Sequence, residues 1–358
     1  MPKKEADMPA PSPTLFLAAA VLLAAIATGF GVARLGARRS RRLSRRRVAT
    51  LERELARFLD SKSTARALRR AVRSADPSAF WAALETLSLG LGRAERARLS
   101  GALERNPFAA AERRALEDDS PWRAELAARR LSLLRSPASR RALRRTLARG
   151  PEVVSLAAAM ALARDRDARA LRWIVDHPET LRRRGRAART ALLRAFGRGA
   201  LPVLAESLQR EAGDGWFERS AIEALAHGRY LPAAAAIERR LRHPDMEVRA
   251  ASARALGWLG AGDSTASILG ALEDEAWQVR AQAARALGLI GASTALVPLA
   301  SALTDRAWWV RRHAAYALRS LGPGGIEALS RAAARSPDPY AREMAREALE
   351  AEPGLPAG

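Results

Sequence analysis

The sequence predicts an all-helical fold, an α-α superhelix of stacked helix pairs preceded by a single transmembrane helix. Runs in which Val, Ile and Thr alternate with polar residues, the pattern of β-strands, are nearly absent from the 358 residues. A segment of about 31 residues recurs along the C-terminal two-thirds of the chain. The N-terminal part holds one long stretch without a charged residue. Together these observations favour helices throughout.

The uncharged stretch lies between Asp7 and Arg34, and its most apolar part runs from Thr14 to Ala33. This length matches the ~20 residues that a helix needs to cross the hydrocarbon core of a bilayer. A cleaved signal peptide is the alternative, but the stretch is long and no small-residue cleavage site follows it. We therefore expect a transmembrane helix over residues 14–34.

Arginines are concentrated directly after this stretch, whereas the tail before it is nearly neutral. The positive-inside rule then places residues 1–13 outside the cytoplasm and the repeats in the cytoplasm of a single-pass protein of the cytoplasmic (inner) membrane. Residues 35–60 are predicted to form a basic juxtamembrane helix. Its arginines set the topology, and contact with anionic lipid headgroups is compatible with that role. The predicted membrane-surface residues are Arg38, Arg39, Arg41, Arg42, Arg45, Arg46 and Arg47.

The repeat is clearest in three segments that align without gaps, VRAASARALGWLG (248–260), VRAQAARALGLIG (279–291) and VRRHAAYALRSLG (310–322). One Leu position continues toward the N-terminus at steps of 31 or 32 residues, so the predicted array covers residues 122–350. Each unit reads as two helices. The first carries Ala where neighbouring backbones approach and ends at a Gly suited to a left-handed C-cap. Such pairs bury their apolar faces only by stacking, which produces a superhelix with a concave surface.

Two segments flank the predicted array. Residues 61–121 contain helical patterns that do not fit the repeat spacing, and they are predicted to form an N-terminal helical cap or diverged repeats. Residues 351–358 are predicted to be a flexible tail. The repeat array is therefore the main folded part of the chain.

Two units, DEAWQVRAQAARALGLIG (274–291) and DRAWWVRRHAAYALRSLG (305–322), closely resemble HEAT-like repeats of the phycobilisome-lyase type. The resemblance covers the last third of the chain well and about two-thirds loosely. It implies an interaction scaffold in which an Asp column and an Arg column form a polar ladder between repeats. In this sequence the implied ladder consists of Asp245, Asp274, Asp305, Arg249, Arg280, Arg311 and Arg342.

Little in the sequence indicates catalysis. The absence of Cys excludes disulfides, Cys-ligated metals and thiol chemistry. The four His residues are not at metal-ligand spacing, and no His-Glu dipeptide occurs. The chain thus departs from the iron-binding HEAT-repeat hydroxylases at their functional residues. We expect no catalytic residue, no metal, no cofactor and no enzymatic activity.

Candidate partner-binding residues fall into two sets. Aromatic residues recur at the start of the first helices, where they either anchor a partner or pack as a ridge between adjacent repeats. Of Trp308 and Trp309, one ring is expected to be exposed, because two adjacent rings do not easily face the same core. The second set is a basic cluster, which either binds acidic groups or is a solvated face. The chosen residues are Trp277, Trp308, Trp309, Arg182, Arg183, Arg184 and Arg186.

The net charge of +23 is unevenly distributed. Residues 122–211 hold 21 cations and 8 anions, whereas residues 212–358 hold 17 of each. Only three of the 61 cations are Lys, so part of this charge is attributable to the codon usage of a GC-rich bacterial genome. The basic middle of the array is the first place to expect an acidic partner or a lipid surface.

Three functions remain open. The favoured one is a membrane-anchored scaffold that binds an unidentified, acidic or mixed-charge protein. The second is a basic solenoid that binds nucleic acid, for which affinity would fall steeply with salt. The third, a bilin lyase-like accessory enzyme, rests only on the resemblance, and fold does not dictate function.

Overall fold

The computed structural model describes residues 45–88, 90–182, 185–210 and 215–351, and every regular element in these ranges is helical. The all-helical prediction is confirmed for these residues. The predicted transmembrane helix, residues 14–34, lies outside the described ranges. No helix within them is long and apolar enough to cross a membrane. The chain divides into two compact units, one up to residue 111 with 133–136, the other covering 112–132 and 137 onward.

The first unit is a small helical cluster. Its core consists of large apolar side chains that are almost fully buried, among them Leu55, Leu68, Phe80 and Leu103. Thr64 starts the second helix, because its side chain accepts a hydrogen bond from the backbone N–H of Ala67. The helices are α1 (45–59), α2 (Ala65–Arg73), α3 (Pro77–Ser88), α4 (Arg93–Leu103) and the start of α5 (Pro107–Ala115).

The C-terminal end of α1 is held by a side chain from α4. Arg98 donates to the carbonyl oxygens of Phe58 and Leu59, each at 3.1 Å. It also donates to the Ser61 hydroxyl at 3.0 Å. Carbonyls at a helix end lack intrahelical donors, so this arginine fixes where the basic α1 stops.

The second unit is a two-row helix array, as the repeat predicts. The first helices of the pairs form one row and the second helices form the other. The first-helix row is α6 (Pro121–Leu134), α8 (Glu152–Arg164), α10 (Arg186–Ala195), α12 (Gly215–His227), α14 (Met246–Leu259), α16 (Trp277–Ile290), α18 (Trp308–Ser320) and α20 (Pro339–Glu350). The second-helix row is α7 (Pro137–Arg149), α9 (Ala168–Asp176), α11 (Leu201–Ser207), α13 (Ala234–Arg239), α15 (Thr265–Gly270), α17 (Leu296–Ala302) and α19 (Pro323–Arg335).

The repeated Leu position forms the spine of the core. Its seven members from α6 to α18 are all buried, and six of them are completely inaccessible to solvent. The residues are Leu131, Leu162, Leu193, Leu225, Leu256, Leu287 and Leu318. Burying such a side chain contributes about 1.5 to 3 kcal/mol each, so this column accounts for much of the stacking energy.

The first helices α14, α16 and α18 approach each other closely. Gly257 and Gly288 make this possible. A Cβ atom at Gly257 would lie 2.7 Å from the Cα of Ala286, and one at Gly288 would lie 2.8 Å from the Cα of Ala317. Small residues on both sides of each junction therefore set the distance between successive repeats.

Several second helices differ from the single continuous helices expected at these positions, although α7 and α19 run unbroken for 13 residues each. The helix α13 is only six residues long and lies between 3-10 turns at Leu231–Ala233 and Arg240–Arg242. The same arrangement occurs around α15. By contrast, α14 and α16 run for 14 residues each and end at Gly260 and Gly291 in the left-handed conformation, as predicted.

Candidate interaction surface

The exposed side of the first-helix row carries most of the exposed large apolar side chains. Among the described residues of this kind, nine of twelve lie on first helices. We call this surface the first-helix face. Its exposed apolar members are Trp122, Val153, Met246, Trp258, Trp277, Leu289, Trp308, Trp309 and Tyr340.

The repeat register explains why these side chains share one side. Trp277 and Trp308 are 31 residues apart, as are Trp309 and Tyr340. Residues at equivalent positions of successive stacked helices lie on the same side of the row. Exposed apolar surface of this kind is characteristic of interaction sites when it is contiguous.

Trp308 and Trp309 were expected to include one exposed ring, but both are exposed, at 42% and 44%. The two rings meet edge to face, with centroids 4.7 Å apart. Trp308 also lies beneath the guanidinium of Arg312, 5.3 Å from the ring centroid. Both rings occupy the first turn of α18, and they pack on their own helix rather than in the core between repeats.

Charged side chains between the aromatic residues form two polar groups, each of which bridges adjacent repeats. Arg254 donates to Glu223 at 2.9 Å, and Thr190 donates to the other oxygen of that carboxylate at 2.8 Å. Arg312 pairs with Glu347, which also accepts from the Tyr316 hydroxyl. These contacts cross from one repeat to the next, so the face has a fixed arrangement of charge.

Arg285 occupies the same repeat position as Arg254 but has no carboxylate partner among the described residues. Its charge acts on His313, which is 5% exposed. Burial, together with the charges of Arg285 and Arg312, lowers the pKa of His313 to about 4. The imidazole therefore stays neutral at pH 7, and the surroundings of Arg285 and Arg312 are electropositive.

The polar ladder implied by the family resemblance exists at two junctions. Arg249 donates to both oxygens of Asp274, at 2.8 and 2.9 Å. Arg280 donates in the same way to Asp305, at 2.7 and 2.9 Å. Each guanidinium joins one repeat to the next through a forked pair of hydrogen bonds.

Three predicted ladder members do not belong to it. Asp245 instead caps α14 by accepting from the backbone N–H of Glu247, because it lies two residues beyond the column, where His243 stands. Arg311 donates to the carbonyls of Asp305 and Arg306 and lies over the Tyr340 ring. Arg342 likewise donates to backbone carbonyls, at 2.7 and 3.2 Å. Neither arginine has a carboxylate partner within the described chain. For Arg311, Ser336 stands where the column would place the next Asp.

One repeat before Arg249, the acidic and basic members of the ladder exchange places. Glu218 stands at the position of the column arginines, 31 residues before Arg249. It is 4% exposed and accepts from Arg240 at 2.8 and 3.1 Å. Sequence reasoning missed this buried pair, although the Glu in the Arg column was a visible signal.

The predicted basic cluster is only partly within the described residues. Arg182 and Arg186 are both exposed, on either side of the start of α10, whereas Arg183 and Arg184 lie outside the described ranges. Arg189, on the same helix, donates to the Arg182 carbonyl and lies 4.6 Å from the centroid of the Trp216 ring. The exposed arginines are therefore available to solvent on this side of the array.

The predicted membrane-surface residues are described only at the start of α1. Arg45, Arg46 and Arg47 are exposed there. The remaining four, Arg38, Arg39, Arg41 and Arg42, lie outside the described ranges. No cluster of His, Cys, Asp or Glu that could hold a metal ion occurs in the described part of the chain.

The family comparison agrees with the C-terminal geometry. Residues 265–350 match the family model for HEAT repeats. These residues are HEAT repeats. The match is to HEAT repeats in general, and it does not distinguish the phycobilisome-lyase type. No curated protein matches the chain by sequence.

Solved structures with similar folds include other helical arrays. The E. coli protein YibA is 17% identical, with a TM-score of 0.45, over 73% of this chain and 98% of its own. Kap121p is 14% identical, with a TM-score of 0.49, over 79% of this chain and 37% of its own. Human deoxyhypusine hydroxylase is 21% identical, with a TM-score of 0.32, over 78% of this chain and 97% of its own. At these identities the likeness concerns the fold alone.

Proposed function

We propose that the protein is a membrane-anchored HEAT-repeat scaffold that binds a protein partner through the first-helix face and has no catalytic activity of its own. The observation that carries this proposal is the concentration of exposed Trp, Tyr and aliphatic side chains on one row of helices. Aromatic and Arg side chains dominate the binding energy of protein interfaces. The first-helix face supplies both.

The charge on this face indicates what kind of partner it takes. Arg254 and Arg312 are matched by Glu223 and Glu347, whereas Arg285 has no carboxylate partner among the described residues. A partner with apolar side chains and an acidic group facing Arg285 would complement this pattern. A strongly basic partner would not.

The membrane part of the proposal rests on the sequence. The apolar stretch from Thr14 to Ala33, followed by a run of arginines, supports an anchor with the repeats on the cytoplasmic side. Tethering would concentrate the scaffold near partners at the same membrane. Sodium carbonate extraction of native membranes tests this part, because an inserted helix stays with the lipid whereas a peripheral protein is released.

Site-specific photocross-linking in native membranes tests the partner surface. A photoreactive amino acid replaces Trp309 or Leu289 on the first-helix face, and Val297 or Ile326 in the second-helix row serves as the exposed apolar control. We expect one cross-linked protein to be common to both first-helix positions and missing from both controls. The same products from both rows, or none from the first row, would contradict the proposed surface.

A further inference from the structure

The helix α7 carries two adjacent arginine stripes. The first is paired with aspartates, and the second is not. Arg144 donates to both oxygens of Asp167 at 3.0 and 2.6 Å, and Arg140 pairs with Asp165. These four groups neutralise one another. The second stripe, at spacings of four residues, is exposed and has no carboxylate partner among the described residues. It consists of Arg141, Arg145 and Arg149.

The next helix of the same row extends this unpaired stripe. Arg172 lies 31 residues after Arg141, so the two occupy equivalent positions on successive second helices. Arg169 precedes it by one turn, and both side chains are exposed without a carboxylate partner in the described chain. Because Asp167 is the N-cap of α9 and binds Arg144 of α7, the start of α9 is held beside α7.

These arginines form a charged surface of defined size. Arg141 to Arg149 spans about 12 Å along the helix, at 1.5 Å per residue. A neighbouring helix packs at about 8 to 10 Å. Like charges four residues apart disfavour a helix slightly, so the stripe gains most when an anionic surface supplies the missing counter-charges.

The composition of this surface argues against two kinds of occupant. No large apolar side chain is exposed on α7 or α9, whereas protein interfaces depend on buried aromatic or aliphatic anchors. No aromatic residue is interleaved among the arginines of α7, although stacking on aromatic rings is a main contribution to single-stranded nucleic acid binding. An array of exposed guanidinium groups alone matches a fluid surface of anionic phosphates.

We propose that the unpaired arginines of α7 and α9 form a second binding surface, which docks on the anionic phospholipid headgroups of the membrane that carries the chain. The choice of lipid as occupant rests on the proposed membrane anchor, whereas the arginine arrangement does not. Docking through this row leaves the first-helix face to the protein partner. The scaffold would thereby be held at the membrane in a preferred orientation.

Site-directed fluorescence with the full chain tests the proposal. The protein has no Cys, so Ala148→Cys, between Arg145 and Arg149, provides a single exposed thiol for a fluorophore. The labelled chain is reconstituted into phosphatidylcholine vesicles, with or without about one-third phosphatidylglycerol, that contain a headgroup-level nitroxide quencher. We expect quenching in the anionic vesicles at about 0.1 M salt, and its loss in neutral vesicles and at about 1 M salt.

Matched variants separate docking from other effects. A triple variant should lower the affinity of this surface for anionic vesicles about 100-fold, since each arginine contributes about fivefold at an anionic surface. The variant combines Arg141→Gln, Arg145→Gln and Arg149→Gln. These side chains lack partners in the described chain, so far-UV circular dichroism should be unchanged. A label at Val297→Cys, exposed in the charge-balanced repeats of the same row, should not be quenched.

Each outcome separates this proposal from the anchor. Equal quenching in neutral and anionic vesicles, or quenching unaffected by the triple substitution, would overturn the docking surface. So would a response of the label to a short RNA with none to anionic vesicles. If the chain is washed from neutral vesicles by salt yet still binds anionic vesicles through position 148, the anchor fails and the docking surface stands.

Discussion

The Nε atom of Arg280 lies 2.7 Å from Oδ2 of Asp305, while its Nη1 lies 2.8 Å from the carbonyl oxygen of Asp274. One side chain thus caps the turn before its own helix and reaches the start of the next repeat. Arg249 makes the same set of bonds one repeat earlier. Arg311 keeps only the bonds to its own turn. Stacking in the C-terminal repeats therefore combines a buried apolar spine with a few forked ion pairs.

Replacing Arg280 by Ala should be far more destabilising than replacing Arg311 by Ala. The first change leaves the largely buried Asp305 without its arginine and should cost about 3 kcal/mol. The second loses hydrogen bonds to backbone carbonyls and the contact with the Tyr340 ring but leaves no carboxylate unpaired, and should cost about 1.5 kcal/mol. Urea unfolding of the two variants measures the difference. Equal losses would mean that the carboxylate link between repeats contributes nothing.

Asp305 should make the C-terminal repeats sensitive to acid. Burial alone would raise the pKa of Asp305, but the hydrogen bonds from Arg280 and from the backbone N–H of Ala307 outweigh burial and hold it below the ordinary 3.8. The stabilisation is therefore complete above pH 3.8 and is lost as the pH falls through the folded-state pKa. Asp305→Asn keeps the side-chain acceptor but not the charge.

The stability difference between the wild type and Asp305→Asn should accordingly shrink as the pH is lowered from 5 toward 2. Urea midpoints across this range provide the measurement. A difference that stays constant with pH would show that the charge of Asp305 is not what stabilises the junction.

Gly288→Ala should weaken the packing of α16 on α18. The added methyl would lie 2.8 Å from both the Cα and Cβ of Ala317, so one backbone must move. Overpacking of this kind typically costs about 1 to 3 kcal/mol. Gly270→Ala is the control, because nothing lies within 4 Å of a Cβ there and its backbone is helical. Thermal unfolding should show a lower Tm for Gly288→Ala and an unchanged or higher Tm for Gly270→Ala.

His313 should lower stability between pH 6.5 and pH 4. Burial and the nearby Arg285 and Arg312 lower its folded-state pKa to about 4, while the unfolded chain titrates near 6.5. Between pH 6.5 and pH 4 His313 is protonated in the unfolded chain but stays neutral in the folded protein. The free energy of unfolding therefore falls by up to about 3 kcal/mol. His313→Gln should unfold with less pH dependence over this range.

Arg285→Gln provides a second measurement of the same effect. Removing that charge should raise the pKa of His313, which NMR titration of the imidazole resonances measures directly. An unchanged titration would mean that burial, and not the charge of Arg285, lowers the pKa of His313.

The repeat, its two-helix units and the buried Leu spine could be predicted from the sequence because they depend on local periodicity. The 31-residue register placed Leu131 and Leu318 in one column, and Gly260 and Gly291 at helix ends. The same register would have excluded Asp245 from the ladder, which is two residues out of step. The interrupted second helices were not predicted, because apolar spacing alone does not distinguish a 3-10 turn from an α-helix.

The candidate surfaces were predictable only in part. The sequence indicated Trp277, Trp308 and Trp309, since aromatic residues recur at one repeat position, but it did not show that both adjacent rings are exposed. The sequence also could not show that Arg144 is paired with a carboxylate whereas Arg145 is not. Both lie in one basic run, and only the fold brings Asp167 to one of them.

By itself, the sequence determined the helical class, the repeat length and the uneven distribution of charge, because each follows from residue types and their spacing along the chain. Only the tertiary structure decided which arginines are neutralised, which aromatic rings face solvent and where Glu218 reverses the ladder. Those outcomes depend on distances between residues 20 to 35 positions apart. Such distances are set by how closely neighbouring helices pack, which at the α14–α16 and α16–α18 junctions depends on the absence of a side chain at Gly257 and Gly288.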